Sequence, residues 1–509
     1  MPALRLDSPW LRNLVAAGAG ALLACAFAPL QLWPLAMLCP AVLMWLLEGE
    51  SPRAAAARGF WFNVGTFAAG TYWLYISIHL VARAPTYQAL VLMLGLVAIM
   101  GLYGALLGYV VARWLPATGA PRWLLGIPAA WLLSEWWRGW FLTGFAWLSL
   151  GYSQTDTALA HLAPVIGVYG VSAVLLLGAG ALLTLLRGSA RERWAAAVLL
   201  IVPWPIAAAL GGVQWTHPAS APIAVAIVQG AVPQDEKWVD THRDATLALY
   251  RDLTLGVLGT PLIVYPEAAL PDVAQNIADY LRDLYRDARA HGSALVLGIL
   301  RESDDGTAYY NSVLSLSDAG VGWYNKSHLV PFAEFFPVPG VFMKILNVPY
   351  GDLTHGARHQ APLSAAGLKL LATICYEDAY GSGQLAELGA ADALVNVTND
   401  AWFRHSSARF QHFQIARMRA IESGRYMLRA ANDGISAVIG PHGEVVAEAP
   451  EYRPFVLRTT VRAYRGLPPY AHTGNWLIIS LAATTLGLAV LWARLPGLGL
   501  LGRRGALPA

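Results

Sequence analysis

Leu262-Ile263-Val264-Tyr265-Pro266-Glu267 is followed by a charged, periodic run over residues 272–291 and then by Ala294-Leu295-Val296-Leu297-Gly298-Ile299-Leu300. Short apolar, β-branched runs bounded by Pro or Gly read as strands, and apolar residues recurring at helical spacing in charged sequence read as an amphipathic helix. The pattern extends in both directions. Residues 223–228 are another β-branched run, and 241–255 another helical one. Downstream, 310–316 and 321–325 flank an Asp318-Ala319-Gly320 turn as in a hairpin. Residues 368–374 form an apolar strand ending at Cys375, and 393–397 another ending at Thr398-Asn399-Asp400. Residues 410–423 look helical, and 435–439 with 445–449 flank Gly440-Pro441-His442-Gly443-Glu444 as a second hairpin. Alternating strands and helices predict an α/β layered domain.

The rest of the chain is of another kind. Of 509 residues, 56% are hydrophobic and only 13% charged, with 20 Trp and a net charge of +3; soluble globular chains carry about 25% charged residues. Such a composition excludes a disordered chain, which needs low hydrophobicity and high charge. It also disfavours one soluble domain, because single cores stop growing beyond about 250–300 residues. The mean hides a split. Residues 213–472 hold 26 of the 32 acidic residues, every Lys and 21 basic residues, a net charge of −5. The flanks hold 14 Arg and six acidic residues, a net charge of +8.

A run of about 20 apolar residues can span a bilayer. Such stretches fall at 14–30, 32–47, 59–80, 89–111, 123–140, 165–186, 195–210 and 476–492. The fold class expected is therefore a multi-pass α-helical membrane domain of about eight spans plus an α/β domain. Residues 1–212 would be a membrane domain of seven spans, 213–472 an exported domain, and 473–509 a last span and tail. In the fifth stretch Glu135 and Arg138 lie one turn apart, where they can pair. Arg residues are strongly asymmetric about these spans. One side carries Arg5, Arg12, Arg53, Arg58, Arg113, Arg122, Arg187, Arg191, Arg193, Arg494, Arg503 and Arg504; the other, outside the soluble window, carries only Arg83 and Arg138. The Arg-rich side is cytoplasmic by the positive-inside rule. Both termini then lie inside, and in a bacterial inner membrane 213–472 is periplasmic.

Of three cysteines, Cys25 and Cys39 fall in spans, leaving Cys375 without a disulfide partner in the window. Such a thiol is either a buried small hydrophobe or a nucleophile. Glu267, Lys326 and Cys375 each terminate a strand, where α/β sheets project side chains toward ligands. Converging there, Glu267 could act as general base, and Lys326 could lower the thiol pKa and stabilise an oxyanion. Strand ends in any α/β domain carry polar residues, so the pattern leaves a structural reading open. No HExxH, zinc-spaced Cys–His cluster or Gly-rich phosphate loop occurs, so neither a metal nor a nucleotide cofactor is expected. His405 and His412 lack a third partner for a metal. Arg417, Arg419, Arg425 and Arg429 read as a solvated face, or alternatively as a holder of phospholipid headgroups.

Tyr265-Pro266-Glu267, Lys326-Ser327-His328-Leu329-Val330-Pro331-Phe332 with Glu334, Ile374-Cys375-Tyr376-Glu377 and Asn399-Asp400-Ala401-Trp402-Phe403 occur in this order. Together they resemble the nitrilase, or carbon–nitrogen hydrolase, superfamily over the soluble window. With eight apolar stretches around it, the whole chain resembles the bacterial apolipoprotein N-acyltransferase family. Val228-Gln229-Gly230 leading to Trp238, His412-Phe413-Gln414, Asn432-Asp433-Gly434 and Thr473-Gly474-Asn475-Trp476 agree with that. The resemblance implies a four-layered αββα sandwich. It implies Glu267 as base, Lys326 as oxyanion stabiliser and Cys375 as nucleophile, with Glu334 an additional carboxylate and Trp238, Tyr376 and Glu377 supporting the pocket. It further implies acyl transfer from a phospholipid, phosphatidylethanolamine being the family's usual donor, to the α-amino group of a diacylglyceryl apolipoprotein acceptor. No cofactor or nucleic acid is implied. Water must be kept from the thioester, a demand that a site at the bilayer surface meets.

Residues 332–350 are aromatic and Pro-broken. Phe335, Phe336, Phe342 and Leu346 suggest a lipid-facing loop that gates the site, or else a loop packed on its own domain. Two rival functions use the same sequence: a membrane-anchored amidase or nitrilase hydrolysing amides, and a catalytically dead nitrilase-like binding module. Eight spans exceed what an anchor needs, and the intact triad speaks against a dead module.

Overall fold

The structure, a computed structural model, describes residues 8–335 and 353–494. It divides into two compact units. One takes its described residues from Met1–Tyr72, Leu90–Val213 and Asn475–Ala509, the other from Trp73–Ala89 and Gln214–Gly474.

The first unit is helical. Thr86–Trp114, Ala158–Arg187, Ala190–Leu210 and Trp476–Arg494 are long and apolar enough to cross a membrane, and a fifth is gained if Pro52–Gly70 and Trp73–Val81 count as one. Several expected spans yield shorter helices among the described residues. Stretch 14–30 gives Pro9–Leu23, 32–47 gives Leu35–Leu46, and 123–140 gives Ile127–Arg138 after the π-helical turn Arg122–Gly126. Proline accounts for the gap between the first two, since Pro29 and Pro34 lie between Ala26 and Leu35 and proline both lacks an N–H and restricts the preceding residue. Glu135 and Arg138 are both buried, yet no hydrogen bond joins them. Glu135 instead accepts from Ser172 Oγ at 2.6 Å, and Arg138 donates to the carbonyl of Trp147 at 2.6 Å.

Small residues set the spacing of these helices. A Cβ on Gly59 would lie 1.9 Å from the carbonyl oxygen of Gly104, and one on Gly20 would lie 1.9 Å from that of Phe62. Backbones in contact are how apolar helices gain packing energy where no hydrophobic drive exists between them. Gly104→Leu should therefore lower stability by about 1–3 kcal/mol, the usual cost of overpacking. Gly95→Leu on the same helix, where a Cβ meets nothing within 4 Å, should leave it unchanged. Thermal unfolding in detergent micelles distinguishes the two.

The second unit contains two six-stranded sheets. The first runs Phe455–Val461, Ile223–Gln229, Leu262–Val264, Ala294–Glu302, Tyr309–Ser317, Gly320–Asn325 across its width. The second runs Val445–Glu448, Ala437–Ile439, Met427–Ala431, Ala393–Thr398, Leu368–Ile374, Leu363–Ala365. In each, three central strands are parallel and the outer ones antiparallel. Side chains alternate across a strand, and here both faces are apolar. Val225, Ile227, Leu262 and Val264 pack with Leu370, Ala372 and Ile374 between the sheets. Ala226, Val228, Ile263 and Leu295 face the other way, onto helices Asp240–Leu255 and Ala278–Ala290. Leu371, Leu394 and Ile439 face helix Ala408–Ser423. The result is helix, sheet, sheet, helix. The edge strands Leu363–Ala365 and Phe455–Val461 were not among those expected from sequence.

Trp73–Ala89, the end of the third apolar stretch and its sequel, packs within this unit. Trp73 Nε1 donates to Gln411 Oε1 at 3.3 Å, its ring meets Phe403 edge-on at 4.9 Å, and Ser77 Oγ donates to the Trp402 carbonyl at 2.8 Å.

Candidate active site

Three strand ends meet in the second unit. After Leu262–Val264, Tyr265 still donates its N–H to Val296 at 2.8 Å, but Pro266 has none to give and the chain leaves the sheet at Glu267. Gly298 on the neighbouring strand makes room, since a Cβ there would stand 2.6 Å from Glu267 Cα and 2.4 Å from the Pro266 oxygen. Lys326 follows Gly320–Asn325 and extends the hairpin by one bond, its N–H to the Asn311 carbonyl at 2.8 Å. Cys375 follows Leu368–Ile374 with φ +51°, and Ala268 (+42°) and Phe332 (+62°) beside the site are left-handed as well. Such backbone is costly for residues other than Gly and persists only where its surroundings hold it.

The side chains form one charge cluster. Lys326 is 1% exposed; its Nζ is 2.9 Å from Glu334 and 3.4 Å from Glu267 Oε1. Burial disfavours the ammonium, but Glu334, then Glu267, hold it well above the ordinary lysine range. Asn311 Nδ2 bridges the same two carboxylates, at 2.7 Å to Glu267 Oε1 and 2.9 Å to Glu334 Oε1. Burial pushes the Cys375 thiol up, Glu267 adds to this, and Lys326 pulls the other way.

Glu377 has a different place. Its carboxylate accepts from Ser327 N and Oγ, His328 N, Tyr324 OH and Ile374 N at 2.7–3.0 Å. It thus ties the residue before Cys375 to the two residues after Lys326. Tyr376 is buried beside it and accepts from Tyr380 OH at 2.6 Å. Trp238 is 46% exposed, just beyond the short helix Gln234–Lys237. Phe335 is half-buried, edge-on to His355 at 5.0 Å. Phe336, Phe342 and Leu346 lie outside the described residues.

Residues 19–181 match the Apolipoprotein N-acyltransferase N-terminal domain, and residues 224–464 match the Carbon-nitrogen hydrolase domain. The apolipoprotein N-acyltransferase of Pseudomonas putida is 40% identical over 96% of this chain and 98% of its own length. That of Methylococcus capsulatus is 42% identical over 93% and 95%, and that of Vibrio cholerae 37% over 93% and 96%. The chain belongs to the apolipoprotein N-acyltransferase family.

In this member of the apolipoprotein N-acyltransferase family the Cys375 thiol feels a carboxylate and an ammonium of opposite effect. Glu267 Oε1 is occupied by Asn311 and Lys326, while among the described residues nothing hydrogen-bonds Oε2. The carboxylate of Glu377, by contrast, accepts five hydrogen bonds.

Sequence reading missed the residues that hold these groups. Lys237, 1% exposed, donates to the Glu267 carbonyl at 3.1 Å; burial lowers it to about 8 despite Glu267 and Asp433. Asn311 and Gly298 carry no motif signal, sitting mid-strand with nothing beside them to mark a site. The arginines contradict the solvated-face reading. Arg419 is buried against Glu422, Arg425 donates to the carbonyls of Ala391 and Gly466, and Arg429 is fully buried in an ion cluster. Only Arg417, half-buried and bonded to the Gly443 carbonyl at 2.8 Å, stays near the surface.

The opposed charges on the thiol give a signed test. Glu267→Gln removes a negative charge and should shift the pH profile of Cys375 alkylation by iodoacetamide to lower pH while abolishing turnover. Lys326→Met should shift the profile to higher pH. Mass spectrometry of the Cys375 peptide against pH reads both; like-signed shifts would show that these groups do not act on the thiol.

Proposed function

We propose that this acyltransferase moves a fatty acyl chain from a phospholipid, with phosphatidylethanolamine as donor, to the α-amino group of an apolipoprotein's N-terminal diacylglyceryl-Cys. The observation that carries this is the grouping of Glu267, Lys326 and Cys375 at three strand ends in a chain matched along its length by apolipoprotein N-acyltransferases.

In the first half-reaction Cys375 Sγ attacks the ester carbonyl as Glu267 takes the thiol proton. The Lys326 ammonium faces the oxyanion that develops. The ester C–O bond breaks, the C–S bond of the thioester remains, and Glu267 returns the proton to the departing lysophospholipid hydroxyl. In the second, the acceptor amine attacks the thioester, Glu267 takes its proton, the amide C–N bond forms, and Cys375 leaves and is reprotonated. Glu334 holds Lys326 in place throughout, Glu377 and Tyr376 shape the turn after the nucleophile, and the exposed Trp238 supports substrate binding. No step draws on a metal or nucleotide.

The setting follows from charge. Eight apolar stretches cross a bacterial inner membrane, with the Arg-rich loops and both termini in the cytoplasm and 213–472 in the periplasm. Residues 1–212 carry seven crossings, and 473–509 the last with its tail. Phe335, Phe336, Phe342 and Leu346 are of the apolar kind that suits contact with a donor's acyl chains.

Incubating the purified protein with phosphatidylethanolamine should give a fatty acyl thioester on Cys375, seen by mass spectrometry, that passes to a synthetic diacylglyceryl-Cys peptide. Cys375→Ala should abolish both. An adduct that only hydrolyses would replace acyl transfer by an amidase-like reaction, and no adduct on folded protein would leave a binding module.

A further inference from the structure

Beneath Cys375 lies a second set of charges that the reaction above does not use. Asp378, Asp400, His412 and Arg429 are all fully buried. Arg429 Nη1 donates to Asp378 Oδ2 at 3.3 Å and Nη2 to Asp400 Oδ2 at 2.9 Å. His412 lies between the same two carboxylates, Nδ1 at 2.9 Å from Asp400 Oδ1 and Nε2 at 3.1 Å from Asp378 Oδ1. Carboxylates only accept, so a ring that donates to both is an imidazolium; Arg429 Nη2, itself only a donor, stands 3.0 Å from Nδ1 and opposes that charge, but one cation is outnumbered by the two carboxylates. Two anions and two cations then cancel. The cluster reaches the nucleophile through the backbone: the Cys375 carbonyl stands 3.2 Å from His412 Nε2 and 3.3 Å from Asn396 Nδ2.

This contact falls on the residue whose φ of +51° needs holding. The cluster is itself anchored from outside. Gln411, beside His412, accepts from Trp73, and Trp402, two residues past Asp400, accepts from Ser77. Its charge matters as much as its geometry. The Asp400 carboxylate raises the thiol's pKa, adding to burial and Glu267. Burial and Arg429 lower the His412 pKa, but Asp378 and Asp400 outweigh them and bring it to about 9; against burial, Arg429 and His412 hold Asp400 down to about 2.

We infer that His412, kept as an imidazolium by Asp378 and Asp400, is a positioning residue for Cys375: with Arg429 it cancels the carboxylates beneath the nucleophile and fixes the nucleophile's carbonyl. The inference rests on Cys375 being the nucleophile, so its test reads the thiol directly. His412→Gln leaves one net negative charge under Cys375, whereas the double variant Asp400→Asn/His412→Gln is again neutral. Iodoacetamide labelling of the Cys375 peptide against pH, melting in detergent, and kcat and donor KM would be measured for the parent, both variants and Cys375→Ala.

In His412→Gln the labelling midpoint should rise by about one pH unit, tenfold in thiolate, with a comparable loss in kcat and little change in KM. The double variant should recover most of both. An unmoved profile in the single variant, or a double variant as unreactive as the single, overturns the inference. If His412→Gln does not fold, the double variant decides alone: it should fold and label, and its failure to do so counts against charge cancellation. Acyl transfer persisting in Cys375→Ala would instead remove the nucleophile assignment.

Discussion

A lysine ammonium with almost no solvent contact governs this site. Burying an unpaired charge costs several kcal/mol even after relaxation, so Lys326 can occupy the end of its strand only if carboxylates come to it. Glu267 and Glu334 do so from different segments, and Asn311 spans the pair so that neither can swing away. The backbone yields to this demand. Ala268, next to Glu267, and Phe332, two residues before Glu334, both have φ near +50°, and the strand opposite Glu267 carries Gly298 because any Cβ would collide with Pro266 and Glu267. Strain and small residues collect here because the charges must meet.

Three glutamates lie around the Lys326 and Cys375 turns, and their surroundings give them separate work. Glu377 accepts five hydrogen bonds, three of them from backbone N–H groups, and acts as a rivet between the Cys375 turn and the Lys326 turn. Glu334 is consumed by Lys326, Asn311 and the N–H of Val330. Glu267 alone keeps an oxygen without a partner among the described residues. Hydrogen-bond occupancy, and not which carboxylate is most buried, is therefore what sets Glu267 apart from the other two.

That Glu267, Lys326 and Cys375 end strands was legible in the sequence, since a strand that stops at Pro266-Glu267 or at Cys375 stops visibly; their proposed grouping as a triad came from the family resemblance of the motifs around them. The hydrophobic runs likewise foretold the layered domain. What sustains the triad was not legible. Asn311 is one polar residue inside a strand, and its two partners lie 44 and 23 residues away. Arg419, Arg425 and Arg429 resembled a wet face because arginine is seldom fully buried; only the fold brings Glu422, backbone carbonyls and Asp378 with Asp400 to meet them. Next to Trp238 the reading favoured the aromatic, whereas burial went to Lys237, a choice made by the Glu267 carbonyl and not by hydropathy. The helices show the same limit. Apolar length was visible, but the break at Pro29 and Pro34 and the bend between Pro52–Gly70 and Trp73–Val81 shorten what composition alone would extend.

The protonation state of Cys375 then acquires a meaning beyond the rate of one step. Thiol–disulfide exchange and oxidation proceed through the thiolate. In the exported compartment proposed above, a lone cysteine with a depressed pKa would be exposed to both. Burial and the Glu267 carboxylate do the reverse, keeping the proton on sulfur at rest, and Lys326 limits how far this goes. In the mechanism proposed above, a nucleophile held as a thiol costs intrinsic readiness, which Glu267, with an oxygen unpartnered among the described residues, would restore once an ester carbonyl is present to be attacked. Under that proposal the site would respond to its acyl donor and stay inert otherwise, which would suit a thioester that must wait for a second substrate.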